Sequence, residues 1–289
     1  NPDNMRLGNT LTEDQFEGYT FDYCISNPPF GTDWKSEYDK VKEEHDRGEN
    51  GRFGIKLPRK NDGQLLFLLN GISKLKESGR MAIIHNGSAL FSGQAGSGES
   101  EIRRYVIEND WLEAIVQLPN DTFYNTGIAT YIWILTKNKP EHRIGKVQLI
   151  DASNMYEKRR KSIGNKRVDI TDKCREVIVK AFGEFLNKEY ALGERTVESK
   201  IFNNEEFGYY RVVVESPKYD EDGNIVMKKN KPVADPEKRD TEEIPLTENV
   251  QAYFEREVKP FNPDAWVDEK NTRIGYEIPF TRHFYKYQP

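Results

Sequence analysis

The chain has 289 residues, 36% of them hydrophobic and 31% charged, and a formal charge of −5 from 43 basic and 48 acidic side chains. That length suits one large domain or two of ordinary size, and the acidic balance excludes a uniformly basic nucleic-acid binder while leaving room for a local basic face. No apolar run approaches the ~18 residues of a membrane span; the isolated Cys24 and Cys174 and the scattered histidines give neither a disulfide framework nor a metal site, which points to a reducing cytoplasm.

The chain opens "NPDNMRLGNTL" with no Met at position 1 and reads as part of something longer, with its N-terminal side missing. "YTFDYCIS" predicts a buried strand. It runs into "SNPPFG", where two prolines without N–H groups must end the sheet pairing. Residues 31–63 are polar and Gly-rich, long for a connection, and read as a functional or mobile loop. "QLLFLLNGISKLK" places Leu65, Leu68, Leu69, Ile72 and Leu75 on one helical stripe, stopped at Ser78-Gly79. "RMAIIH" predicts a strand, with His85 at its end as a hydrogen-bonded structural residue. A flexible Gly/Ser loop follows over 91–99, then a helix carrying Ile102, Tyr105 and Val106, with Ser100 as its candidate cap.

"WLEAIVQLP", "IATYIWILTK" and "KVQLIDAS" predict three more strands. The last two are joined by a short polar stretch at Pro140, which suggests an antiparallel hairpin at a sheet edge. Strand–helix alternation over this half argues for a mainly parallel α/β sheet. Beyond residue 155 the texture changes to a basic run, a helix over "TDKCREVIVKAFGEF", strands and a short helix, an α+β extension. The expected division is therefore 1–155 and 156–289. Lys158, Arg159, Arg160, Lys161, Lys166 and Arg167 suit phosphate contacts; a solvated charged face is the competing reading.

The Asn-Pro-Pro-Phe corner has a definite chemistry. In open α/β sheets, ligands bind beyond the carboxyl ends of the strands. There the Asn27 side-chain oxygen and the Pro28 carbonyl, stiffened by Pro29, form two fixed acceptors. A planar exocyclic amine, such as N6 of adenine, would give one N–H to each, which localises its lone pair and stabilises charge developing on nitrogen. Phe30 offers a stacking face. A base within a duplex would have to be flipped out to reach the corner.

"SNPPFG" after an apolar strand resembles the catalytic motif of S-adenosylmethionine-dependent amino-methyltransferases. With "LGNTL", "DGQLLFLLNGISKLKESGRMAIIHNGSALFSG", "IRRYVIENDWLEAIVQLPNDTFYNTGIATYIWILTKNK", "VQLIDAS" and "FTRHFYKYQP", the ordered set resembles the modification subunit of type I restriction–modification systems. The resemblance implies a Rossmann-like class I methyltransferase sheet, partial because its first strands are missing, with a C-terminal α+β appendage. It implies Asn27, Pro28, Pro29 and Phe30 as the catalytic tetrapeptide and Asn9 and Asn27 as cofactor-binding. Phe123, with Tyr124 as its competitor, would contact the flipped base together with Phe30. S-adenosyl-L-methionine is the implied cofactor, at a site left incomplete because the family's glycine-rich loop is absent, so this chain alone is expected to be inactive. DNA, a specificity subunit, a restriction subunit and a second modification subunit are the implied partners, with the 156–289 extension as the contact region for DNA or the specificity subunit. The alternatives are a non-catalytic assembly and DNA-binding module, or an RNA or protein amino-methyltransferase using the same corner.

Overall fold

The computed structural model describes residues 4–29 and 31–286. The chain forms two compact units: one holds the residues up to Gly93, Ser97–Asn204 and those from Glu277 on, the other Gln94–Gly96 and Glu205–Tyr276. The division thus falls after Asn204 and not at 155, because the strands that follow the basic run join the first unit's sheet.

The first unit contains β1 (Phe21–Ser26), α1 (Tyr38–His45), α2 (Gln64–Ser73), β2 (Leu75–Asn86), α3 (Ser88–Phe91), α4 (Gly98–Glu108), β3 (Leu112–Gln117), β4 (Thr130–Thr136) and β5 (Lys146–Asp151). It continues through β6 (Glu157–Ile163), β7 (Lys166–Asp169), α5 (Asp172–Glu184), β8 (Lys188–Leu192) and β9 (Arg195–Asn203). Seven of these strands make one sheet in the order β1-β2-β4-β3-β5-β9-β8. The sheet is mixed: β1 and β2 are parallel, as are β3 and β5, whereas β4 is antiparallel to both β2 and β3. β9 is antiparallel to its neighbours β5 and β8. The expected β4–β5 hairpin does not form, because β3 lies between those strands and pairs with each.

Two boundaries also differ from expectation. α2 stops at Ser73, so Leu75 opens a strand and does not end a helix. α4 is capped by Ser97, whose hydroxyl accepts from the Ser100 N–H; Ser100 lies inside the helix. Leu65, Leu66, Leu68, Leu69 and Ile72 of α2 are all buried, as are Met81 and Ile83 of β2, each such side chain worth ~1.5–3 kcal/mol. A Cβ on Gly71 would come within 2.2 Å of the Met81 methyl, so the absence of a side chain there lets α2 approach the sheet. The segment 31–63 is ordered around buried Trp34, Val41 and Phe53, and is not the mobile loop its composition suggested.

β1 is the outer strand of the sheet and is not buried: Tyr23 is 77% and Ile25 88% exposed. The second unit is built on β10 (Gly208–Glu215), flanked in an antiparallel three-stranded sheet by β13 (Asp240–Pro245) and β14 (Trp266–Tyr276). A two-stranded ribbon, β11 (Met227–Lys228) and β12 (Lys231–Pro232), precedes β13. Its small core joins Val214, Phe254 and Ala265.

An apolar outer strand invites pairing with other chains. Ile25→Lys should therefore change unfolding free energy by no more than about 0.5 kcal/mol while lowering the self-associated fraction in sedimentation velocity. A large loss of stability would show that Ile25 is packed and not exposed.

Candidate active site

Strand register fixes which loops meet. Asn86, the last residue of β2, pairs with Thr130, the first of β4; Gln117, the last of β3, pairs with Tyr131 and with Asp151, the last of β5. β1 ends alongside, with Ser26 opposite Ile83. Residues 27–29, the turn after β2, the 118–129 loop and the segment after β5 therefore all leave the sheet at one end, the end where α/β sheets place ligands.

Asn27 is exposed there, and no hydrogen bond to its side chain is made among the described residues, while Pro28 beneath it is buried. Pro28 and Pro29 line a cavity of about 540 Å³ that also takes in Gly8, Thr10, Phe21 and Tyr23. The "LGNTL" and "NPP" segments thus meet at one cavity. Phe30 lies outside the described residues.

The exposed Asn9 is engaged within the chain. Its Oδ1 accepts from the Leu11 N–H at 3.0 Å and its amide nitrogen donates to Glu37 Oε1 at 3.2 Å. Both ends of the side chain hold the turn between Gly8 and Thr10 that forms the cavity wall. The same turn is gripped by Arg52, which donates to the carbonyls of Thr10 at 2.6 Å and Leu11 at 3.4 Å. A larger and more polar cavity, about 760 Å³, adjoins the first and shares Asp14, Arg52 and Lys74 with it. It does not reach Pro28 and Pro29, so the smaller cavity is the one that adjoins the Asn27 corner.

The two aromatic candidates separate clearly. Phe123 is half-buried and packs against the core cluster that includes Val116 and Ile150, whereas Tyr124 is 62% exposed at the same end of the sheet.

One feature escaped the sequence. Beyond β2, Asp62, Gln64, Asn86 and Ser88 form a closed polar cluster. The Gln64 amide nitrogen lies 2.8 Å from Asp62 Oδ2, 2.8 Å from Asn86 Oδ1 and 2.7 Å from Ser88 Oγ, and its oxygen accepts the Asn86 N–H at 3.1 Å. The Ser88 hydroxyl lies 2.7 Å from both Asp62 and Asn86. The two amide hydrogens of Gln64 serve three acceptors in turn, which pins the turn after β2 beside the Asn27 corner. The signal was present as Asp62 two positions before Gln64 and Asn86 two before Ser88, the spacing at which short polar side chains bond nearby backbone; Asp62 Oδ1 accepts from the Gln64 N–H and Asn86 Oδ1 from the Ser88 N–H.

His85 was expected to be hydrogen-bonded. It is fully buried instead, with neither ring nitrogen partnered among the described residues, and packs edge-on to Trp133 with ring centroids 5.4 Å apart. Burial pushes its pKa down to about 3, an effect the Asp62 carboxylate only partly opposes.

Comparison with known proteins shows the family of the chain. Residues 1–221 match the N-6 DNA Methylase family, and the chain belongs to that family. It is 30% identical over 182 residues to the type I restriction enzyme MjaIX methylase subunit of Methanocaldococcus jannaschii, a match covering 63% of this chain and 31% of that protein. Against the EcoKI methylase subunit of Escherichia coli it is 29% identical over 204 residues, 70% of this chain and 35% of the relative. The chain thus spans about a third of the length of these relatives. Among solved structures, it resembles a type I restriction–modification methyltransferase subunit from Streptococcus thermophilus, with a TM-score of 0.56 and 28% identity over 69% of this chain and 38% of that one.

The buried imidazole carries a pH dependence. Folded His85 stays neutral until about pH 3, whereas the unfolded chain protonates it near its ordinary 6.5. The unfolded state therefore binds more protons between these values, and the stability His85 confers is complete above 6.5 and lost as pH falls toward 3. Between about pH 7 and 5 the native chain should lose on the order of 1–2 kcal/mol more than His85→Phe does, measured by urea unfolding at both pH values. Equal losses in the two proteins would show that His85 is protonated in the fold.

Proposed function

We propose that the chain supplies the amino-transfer corner of a DNA adenine-N6 methyltransferase, acting as part of the modification subunit of a type I restriction–modification system in the cytoplasm. One observation carries this reading: the exposed Asn27 amide, free among the described residues, stands at the carboxyl end of β1 beside buried Pro28, which lines a cavity together with Gly8 and Thr10. Family membership supports the same reaction class. No helix among the described residues is long and apolar enough to cross a membrane.

The cavity suits S-adenosylmethionine in size and in character, with the aromatic faces of Phe21 and Tyr23 and the carboxylates of Glu13 and Asp14 on its walls. Gly8, Thr10, Pro28 and Tyr23 are the residues that would hold the cofactor here. When bound it supplies an electrophilic methyl group. The protein's own contribution is positional. The Asn27 oxygen accepts one hydrogen of the adenine amine and the Pro28 carbonyl the other, which draws the nitrogen lone pair out of the ring and toward the cavity. Tyr124, exposed at the same end, is the better placed of the two aromatic candidates to cover a flipped base; Phe123 serves the core. The Asp62–Gln64–Asn86–Ser88 cluster fixes the neighbouring turn and excludes its motion from the reaction.

DNA and a specificity subunit complete the reading, with a restriction subunit and a second modification subunit in the full assembly. An assembly role for the chain is favoured by the apolar outer strand with exposed Tyr23 and Ile25; both residues also line the cavity, so strand pairing along β1 and cofactor binding draw on the same face.

In the complete modification complex, Asn27→Ala should lower adenine methylation of DNA by ~10²-fold or more, the scale of one missing transition-state hydrogen bond. Cofactor affinity, measured by calorimetry in the same complex, should change far less. Turnover within a few-fold of the native complex would remove Asn27 from the chemistry; transfer to RNA or protein in preference to DNA would reassign the substrate.

A further inference from the structure

The basic run of the sequence is a discrete structural object. β6 and β7 pair only with each other, as an antiparallel ribbon that leaves the sheet after β5, at the end that carries Asn27. Its turn lies at Gly164-Asn165, with Gly164 at φ 58, a conformation glycine adopts without strain.

The ribbon's charges are not self-compensated. Its two carboxylates are already engaged: Asp169 accepts both bonds of Arg159, at 2.6 and 2.7 Å, and pairs with Lys166 at 3.3 Å, while Glu157 pairs with Arg195 at 3.4 Å. Lys158, Arg160, Lys161 and Arg167 remain exposed, with no carboxylate partner among the described residues. In a protein of net charge −5, this concentration of unpaired cations at the reactive end of the sheet is a local exception.

The ribbon is also fastened to the aromatic loop. The Asn165 N–H donates to the Tyr124 carbonyl at 2.8 Å and the Arg167 N–H to the Asp121 carbonyl at 2.9 Å. A Cβ on Gly164 would sit 2.5 Å from the same Tyr124 oxygen, and the Lys166 ammonium lies 5.8 Å from the Tyr124 ring centroid. The loop that presents Tyr124 and the ribbon that presents the cations are therefore one hydrogen-bonded body.

We propose that the β6–β7 ribbon is a duplex-DNA contact in which Lys158, Arg160, Lys161 and Arg167 engage backbone phosphates, and that through Asp121 and Tyr124 it sets the height of the aromatic loop above the target base. This rests on the DNA reading given above and extends it to a surface outside the reaction corner. Phosphate contacts position a protein on DNA without reading sequence, which is what a loop waiting for a flipped base requires.

The test measures duplex binding by the chain itself, without cofactor, through fluorescence anisotropy between about 50 and 200 mM salt. Removing cations that touch phosphates lowers the slope of log affinity against log salt by ~0.9 for each phosphate no longer neutralised. Arg160→Ala/Lys161→Ala should reduce the slope by ~1–2 and weaken binding several-fold at the low-salt end, and Lys158→Ala/Arg167→Ala likewise. Lys173→Ala/Lys180→Ala on α5, an equal loss of charge, should leave the slope unchanged. The ribbon is solvent-exposed, and the melting curve of each variant confirms that the sheet is intact. Equal slopes in ribbon and α5 variants, or no slope change in the ribbon variants, would overturn the proposal; so would a greater loss on duplex RNA than on duplex DNA, which would assign the ribbon to RNA. No methyl transfer enters this measurement, so failure of the ribbon proposal and failure of the Asn27 chemistry are separately visible.

Discussion

The geometry of the cavity depends on one buried cation. The Arg52 side chain is only 6% exposed, yet its guanidinium reaches three separate segments of the chain. It binds both carboxylate oxygens of Glu44 at 2.7 Å, the Asn70 oxygen at 2.9 Å, and the Thr10 and Leu11 carbonyls. An arginine offers five donors in a fixed plane, a count and shape no other side chain matches. Burial would raise the Glu44 pKa, but the Arg52 bonds more than offset it and hold the carboxyl below its ordinary range. A buried charge without these partners would be costly, so the ion pair constrains α1, α2 and the Gly8–Thr10 turn together. This is how a polar, Gly-rich segment comes to be ordered.

From that constraint the site follows by register. The helix α2, held by Arg52 at Asn70, packs on β2 through the close approach at Gly71. β2 is flanked by β1 on one side and by the reversed strand β4 on the other. The reversal matters for function: it brings the 118–129 loop, which leads into β4, to the same end as Asn27. Polar fixation then accumulates around the corner, in the Asx turn of Asn9, the Gln64 cluster and the ribbon bound to Tyr124. Each holds backbone by side-chain or main-chain bonds, while the Asn27 amide itself remains free among the described residues.

The strand end at Asn27 was legible in the sequence because its cause is local: two prolines without N–H groups must end a strand. The strands β3, β4 and β5 were legible as apolar runs. Their order was not, since nothing in "IATYIWILTK" says that β3, and not β5, is its neighbour; that is decided by which faces bury together. "YTFDYCIS" read as buried because apolar runs usually are, and the exposure of Tyr23 and Ile25 depends on what lies beside β1, a property of the whole sheet. The ribbon was hidden for the opposite reason: with hardly an apolar residue it gave no periodic signal, although Gly164-Asn165 between two basic stretches is a turn pair of the kind hairpins use. His85 misled because a polar side chain at a strand end is normally bonded, and only the packing against Trp133 shows that this one is not.

Arg52 as a local clamp is the point on which the cavity and the corner both rest. Hydrogen–deuterium exchange on Arg52→Lys, which keeps the charge but cannot serve four acceptors at once, tests it. A clamp at this position predicts faster exchange confined to residues 8–14 and 38–54, with amides of β2, β3 and β4 protected as in the native chain. Unchanged exchange in those two segments, or an equal loss of protection throughout the sheet, would contradict it.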